Sequence, residues 1–396
     1  MLDLARQYQP LRQEIIAALT AVVESRQFIL GDAVAAFEQA AAARLGVAHA
    51  IGCSSGTDAL WLALAAAGIG PALHRQNATG EAPQTGERVV TTPFSFFAST
   101  SAILRAGAQP LLADIDPATF NLSPAAVESL LDSSRGAGVR AILPVHLYGQ
   151  PADWVALARI ARERGLLLIE DAAQAWGAQW TPPGGQPVSA GALGSAAAFS
   201  FYPTKNLSAA GDAGLVTTNS DEIARSARSL RQHGMTRRYY HDELGWNTRM
   251  DGFQGAILQV KLRYIDAWNQ ARRAVARRYH ALFHSAGLAE AGPYPAHGLV
   301  LPHEVAGTRH VWHQYVVRTP RRDALRQFLT DRRIGSEIYY PVPLHLQAAL
   351  AGLGYKEGSF PEAERAAREV LALPIFPELR EDEQQIVVRA IAEFLS

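Results

Sequence analysis

The chain has 396 residues, more than one ordinary hydrophobic core accommodates and enough for two domains sharing an interface. Its hydrophobic fraction of 48% and charged fraction of 19% describe a soluble globular protein rather than a disordered or membrane-embedded one. Lys plus Arg equals Asp plus Glu at 37 each, a balance that offers no footprint for nucleic acid or for an anionic membrane surface. Cys53 is the single cysteine, so there is no internal disulfide framework and a reducing compartment is expected. Arg6, Arg12 and Glu14 interrupt any apolar core that a signal peptide would need, and no apolar run approaches the length of a membrane span. A cytoplasmic location is the simplest expectation.

Residues 11–24 and 32–45 place apolar side chains at helical spacing, with Gly31 between them. Ala48 to Leu64 reads as a strand, a Ser54-Ser55-Gly56-Thr57 turn and a helix. Such a turn offers unpaired amides and a positive dipole end to an anion such as phosphate, unless it only caps its own helix. The stretch 71–87 is polar, rich in Gly and Pro and without periodicity, so it reads as a surface loop or as a lid. Val89 to Leu104 is again strand, turn and helix. Its turn carries Phe94, Phe96 and Phe97, which either stack on a planar ring or belong to the core.

Short strands follow at 109–116 and 141–148, with a helix over 123–132 opened by Ser123-Pro124. Leu166 to Ala175 is a buried strand that delivers Asp171 and Gln174 at its carboxyl end, where ligands bind in open α/β sheets. On local grounds Asp171 either meets a cationic partner or caps a helix. The segment 180–195 reads as a loop. After it comes AAAFSFYPTKN, in which apolar residues lead to Lys205 before a small-residue turn. Desolvation there lowers a lysine toward the nucleophilic neutral amine, which forms Schiff bases; the alternative is a snorkelling side chain with its charge in water. Alternating strands and helices from residue 45 to 220 predict a mainly parallel sheet. Asn247 and Arg249 lie in a polar turn before an amphipathic helix. The arginines of 261–285 make either a basic face or a solvated helix. From about residue 290 onward, strands read as antiparallel pairs packed under helices.

Nine stretches in order, among them SSGTDAL at 54–60, PVHLYGQPAD at 144–153, EDAAQA at 170–175, FSFYPTKN at 199–206, LRQHG at 230–234 and LGWNTRMDGFQGAIL at 244–258, resemble the pyridoxal-phosphate (PLP) sugar aminotransferases of the DegT/StrS type. The resemblance covers nearly the whole chain. It implies a fold-type I α/β architecture with a large PLP-binding domain over 1–262 and a smaller α+β domain over 263–396. It implies that Lys205 forms the Schiff base, Asp171 keeps the pyridine nitrogen protonated, Gln174 bonds the phenolic oxygen and Phe96 covers one ring face. Ser55, Gly56, Thr57 and Ser200 would hold the cofactor phosphate, with Asn247 reaching the phosphate of a partner subunit in a homodimer with shared active sites. Arg249 and Tyr339 would face substrate, although Arg249 reads equally as a surface ion pair. Many relatives have His-Tyr-Pro where this chain has Tyr339-Tyr340-Pro341, so substrate details carry over least securely there. His146 is expected to be a hydrogen-bonded residue near the cofactor rather than a catalyst.

The activity implied is transfer of an amino group, from glutamate, to a keto sugar linked to a nucleotide. Carbon 3 is favoured over carbon 4, and surface-polysaccharide biosynthesis is the expected setting. A sugar dehydratase on this fold would replace the lysine with histidine, and Lys205 is present. A regulatory protein that keeps the fold without turnover is the alternative from another class.

Overall fold

A computed structural model describes residues 2–70 and 86–396; the expected loop or lid at 71–87 lies outside them apart from Gly86 and Glu87. A short helix over Leu4–Tyr8 precedes the two expected at the start of the chain, α1 (Arg12–Ser25) and α2 (Gly31–Leu45), which lie close to their expected bounds. A seven-stranded sheet follows: β1 (His49–Cys53), β2 (Arg88–Thr91), β3 (Gln109–Leu112), β4 (Val139–Ile142), β5 (Leu167–Asp171), β6 (Ala196–Ser200) and β7 (Gly214–Thr218). Their spatial order is β1-β7-β6-β5-β4-β2-β3. The run from β3 to β6 is parallel. Only β7 opposes its neighbours, lying antiparallel to β6 and to β1. The expectation of a mainly parallel sheet therefore holds.

The sequence of β6 explains the layer above it. Ala196, Ala197 and Ala198 present little bulk, and α3 (Gly56–Ala66) packs closely on that strand. Every α3 residue from Ala59 to Ala66 is buried. Trp61, 1% exposed, joins a cluster with Ala196, Ala198, Val216 and Leu230. The Arg105 guanidinium, at the end of α4 (Ala98–Arg105), lies over the Trp61 ring, 4.8 Å from the centroid.

Parallel pairing in register places Asp171, the last residue of β5, opposite Ala198 on β6. The ends of both strands thus open on one edge of the sheet, as the sequence predicts for Asp171 and Lys205. No helix follows Asp171: the chain turns twice before Gln179, which removes the helix-cap reading. The segment 180–195 is more than a loop. Gln179–Trp180 pairs with Val188–Ser189 and, across the fold, with Thr308–Arg309. Strands of two residues are too short to show a period, so no sequence pattern signals them.

Helix α5 (Gly252–Leu262) packs on α1 and α2, and a short turn at Tyr264 leads into α6 (Ile265–Ser285). The arginines of this region do not form a free basic face. Arg263 pairs with Glu14, Arg273 with Glu304 and Arg278 with Glu381, while Arg272 is buried and donates to three carbonyls.

A second sheet holds β8 (Ala289–Glu290), β9 (Leu299–Val300), β10 (Tyr315–Arg318) and β11 (Val370–Leu373) in that order, antiparallel except for β8 with β9. It packs with α6 and α7 (Glu381–Leu395) around a core that continues into Phe94, Phe120 and Tyr148. The start of the chain is fastened to this end, through a two-pronged ion pair of Arg6 with Glu383 at 2.7 and 2.9 Å. No helix among the described residues is long and apolar enough to cross a membrane. Because Trp61 fills space that its alanine neighbours cannot, Trp61→Ala is expected to cost about 3–5 kcal/mol, read as a lower denaturant midpoint in chemical unfolding.

Candidate active site

A cavity of about 710 Å³ opens where β1, β5 and β6 end. Asp171, Gln174 and Lys205 line it together with Ser55, Gly56, Thr57, Phe96, Ser200 and Tyr339, so nine of the eleven residues singled out in the sequence share one space. Asn247 and Arg249 do not line it. Asn247 is exposed and bridges Gln232, and Arg249 bridges Cys53 with its Nε lacking a partner among the described residues.

Lys205 sits in a tight loop. Its own amide donates to the Tyr202 carbonyl at 2.8 Å, and the Ala209 amide closes the loop onto Phe201 at 2.7 Å. The neighbouring Asn206 side chain, bonded to Asn269 and to the Val311 carbonyl, anchors the far side. Lys205 keeps some contact with the cavity's solvent, yet burial lowers its ammonium pKa to about 8, against the opposing pull of Asp171. The snorkelling alternative would leave a fully hydrated ammonium without this shift.

Asp171 is buried, and desolvation raises its pKa. The Ser99 hydroxyl, the Ala173 amide and the charge on Lys205 work in the other direction. A buried carboxylate and a partly buried ammonium on one cavity each stabilise the charged form of the other, since isolated charges are costly there.

The opposite end of the cavity suits an anion. Ser55 is the N-cap of α3: its hydroxyl accepts from the Asp58 amide at 3.1 Å and donates to the Asp58 carboxylate at 2.9 Å. Gly56 and Thr57 are the first two residues of α3, positions whose amides have no intrahelical acceptor. The two readings of this turn are thus compatible: the serine caps, and the amides after it remain available. Backbone closeness shapes this end. A Cβ on Gly56 would come within 2.5 Å of the Ser200 side chain, and one on Gly214 within 2.1 Å of the Ser55 carbonyl.

Aromatic side chains form the walls. Phe96 is 60% exposed and faces the cavity, Phe94 belongs to the core, and Phe97 is intermediate. The Gln174 carbonyl oxygen accepts from the Tyr148 amide at 2.7 Å, and its Nε2 donates to the Tyr340 hydroxyl at 3.1 Å. Tyr148 in turn donates its hydroxyl to the Tyr339 carbonyl. Sequence reasoning missed Tyr340, Ser95, Ser99 and His313, all lining the cavity. His146 behaves as expected of a structural residue. It is fully buried, its Nδ1 accepts from the Ala152 amide, and its Nε2 therefore donates to Glu170 at 2.9 Å.

These features fit pyridoxal phosphate. The glycine cradle and α3 amides match its phosphate, a buried carboxylate matches a protonated ring nitrogen, and a desolvated lysine matches its aldehyde. Comparison with known proteins points the same way. The chain is 49% identical, over 100% of its length and 98% of the relative's, to a "pleiotropic regulatory protein" of Geobacillus stearothermophilus. It is 40% identical, over 97% of its length and 94% of the relative's, to a UDP-N-acetyl-3-dehydro-alpha-D-glucosamine 3-aminotransferase of Acidithiobacillus ferrooxidans. Among solved structures, that of DesV from S. venezuelae, in complex with a ketimine intermediate, superposes with a TM-score of 0.88 at 40% identity, covering 100% of this chain and 97% of that one. The fold is accordingly that of the fold-type I PLP aminotransferases. The model of the DegT/DnrJ/EryC1/StrS aminotransferases matches residues 9–392, and the chain belongs to that family.

Proposed function

We propose that this protein transfers an amino group from glutamate to carbon 3 of a keto sugar linked to a nucleotide, using Lys205 and Asp171, in the making of amino sugars for surface polysaccharides. The observation that carries the reading is a desolvated lysine and a buried aspartate on one cavity that also holds a glycine-shaped anion cradle. The name of the Acidithiobacillus relative supports carbon 3. Transfer at carbon 4 is the close alternative.

When bound, pyridoxal phosphate supplies the electron sink for a carbanion. Asp171 keeps a proton on the ring nitrogen through its charge. The Lys205 amine takes the proton from the donor's α-carbon, and in the return half-reaction it delivers one to the sugar carbon that gains nitrogen. Phe96 shields one face of the ring, and the Gln174 Nε2 has a second hydrogen for the phenolic oxygen. Ser55, Gly56, Thr57 and Ser200 receive the phosphate. Asn247 and Arg249 lie outside this chain's own cavity, a placement compatible with a homodimer in which Asn247 reaches the partner's phosphate. Tyr339 faces the sugar. We take residues 1–262 as the cofactor domain and 263–396 as the smaller domain, divided at the turn between α5 and α6, and a cytoplasmic location as the setting.

A second reading follows from the name of the Geobacillus relative: a regulatory protein that keeps the fold without turnover. Half-reactions separate the two. Glutamate added to the cofactor-loaded protein is expected to abolish the visible absorption, and one member of a panel of 3-keto and 4-keto nucleotide sugars is expected to restore it. That member identifies carbon and nucleotide together. An unchanged spectrum with every common amino donor favours the regulatory reading.

A further expectation concerns pH. With Lys205 lowered to about 8, the neutral amine gains about tenfold per unit as pH rises toward that value and then levels off. Capture of pyridoxal phosphate by the cofactor-free protein, followed by stopped-flow absorbance, is expected to accelerate with the same profile. A rate that is flat from about pH 6 to about pH 9 contradicts the assignment of Lys205 as the capturing amine.

A further inference from the structure

Asp171 is held by its backbone on three sides. Its amide donates to the Pro144 carbonyl at 2.9 Å, its carbonyl accepts from the His146 amide at 3.0 Å, and the next amide, of Ala172, donates to Ala198 at 2.9 Å. These bonds fix the Cα but leave the carboxyl group free to rotate. Two contacts set its orientation. The Ala173 amide reaches Oδ1 at 3.2 Å, and the Ser99 hydroxyl reaches Oδ2 at 2.7 Å. The Ser99 contact is much the shorter and lies in the range of charge-assisted O–H···O⁻ bonds.

Ser99 is itself restrained. It is buried in the first turn of α4, and its oxygen lies 2.9 Å from that of Ser95, also buried. A hydroxyl has one proton to donate. With the Ser99 proton on an ionised Asp171, which can only accept, the Ser95 proton must point to the Ser99 oxygen. The pair is then a one-way chain of donors, Ser95 to Ser99 to Asp171, and each donor polarises the next. The same segment carries the aromatic wall: Phe96 lies between the two serines in sequence, and the Ser99 amide donates to the Phe96 carbonyl at 3.2 Å.

We infer that Ser99, backed by Ser95, is a positioning residue for the amino-transfer chemistry: it keeps the Asp171 carboxylate ionised with its Oδ2 occupied, leaving the remaining lone pair of Oδ1, beside the longer Ala173 contact, to the cofactor ring, and sets the Phe96 wall in register with it. The inference rests on the pyridoxal-phosphate reading of the site. Around Asp171, Lys205 and His146 favour the ionised carboxylate, while the Tyr340 hydroxyl is a neutral neighbour raised by burial. Of these Lys205 alone shares the cavity with the carboxylate as a charge, and its amine is committed to the cofactor aldehyde once that is bound. Ser99 and the Ala173 amide are therefore the lasting donors to the side chain, and Ser99 makes the shorter bond.

The test compares Ser99→Ala, Ser99→Thr and Ser95→Ala with the unaltered protein, all loaded with pyridoxal phosphate. Without the Ser99 hydroxyl the carboxylate supports less positive charge on the ring, and a less positive ring holds the neighbouring proton more tightly. The pH midpoint of the visible absorption change is thus expected to move upward in Ser99→Ala, with cofactor loss on dilution faster by about tenfold, the size of one hydrogen bond to a charged group. The ratio kcat/KM is expected to fall about 10- to 100-fold, mostly in kcat. Ser99→Thr keeps the hydroxyl and is expected to match the unaltered protein, and Ser95→Ala to show a smaller shift of the same sign. An unmoved midpoint and unmoved cofactor loss in Ser99→Ala, even with a lower melting temperature, overturn the inference and leave Ser99 a packing residue. Should Ser99→Ala not fold, an unshifted Ser95→Ala overturns it instead. If the unaltered protein forms no visible band at all, the cofactor reading itself fails, which is a different result.

Discussion

Burial of opposite charges at the carboxyl edge of a parallel sheet is the constraint on which this structure depends. Asp171 and Lys205 each lose hydration there, and each is tolerable because the other, or a ligand between them, supplies the missing charge. The rest of the fold serves that arrangement. Parallel pairing of β5 with β6 brings the two ends side by side, alanines in β6 let α3 pack closely, and that packing delivers the amino end of α3 to the same cavity. A carboxylate, an amine and an anion cradle are thus products of one sheet edge.

Electrostatics and geometry divide the work. The lowered pKa of Lys205 comes from desolvation and needs little more than an apolar lead-in and a tight loop, both written locally in the chain. The state of Asp171 is a balance between desolvation and several donors drawn from separate elements. The lysine's reactivity is therefore a local property, whereas the aspartate's is a property of the assembled fold.

This difference explains what was legible in the sequence. The strand that ends in Asp171, the lysine after an apolar strand and the Ser-Gly-Thr turn all carry their meaning within ten residues, and the structure places them as read. Ser99 and Tyr340 carry no such mark, because their partners Asp171 and Gln174 lie 72 and 166 residues away in the chain. The helix-cap alternative at Asp171 stayed open in the sequence for a related reason: a carboxylate before small residues looks alike whether turns or a helix follow. Asn247 and Arg249 were reached through resemblance alone, and nothing in this chain's own cavity calls for them. The expected loop at 180–195 hid paired strands because two residues cannot display alternation.

That small ribbon bears on how the molecule admits a large substrate. Gln179–Trp180, eight residues beyond Asp171, is stitched to Thr308–Arg309, which leads directly through Val311 to His313 on the cavity wall. A swing of the C-terminal portion away from the sheet would have to tear those backbone bonds or drag the Asp171 strand along. The wall that carries His313 and the segment that follows the Asp171 strand are thereby joined by backbone bonds, so the two sides of the cavity share one frame.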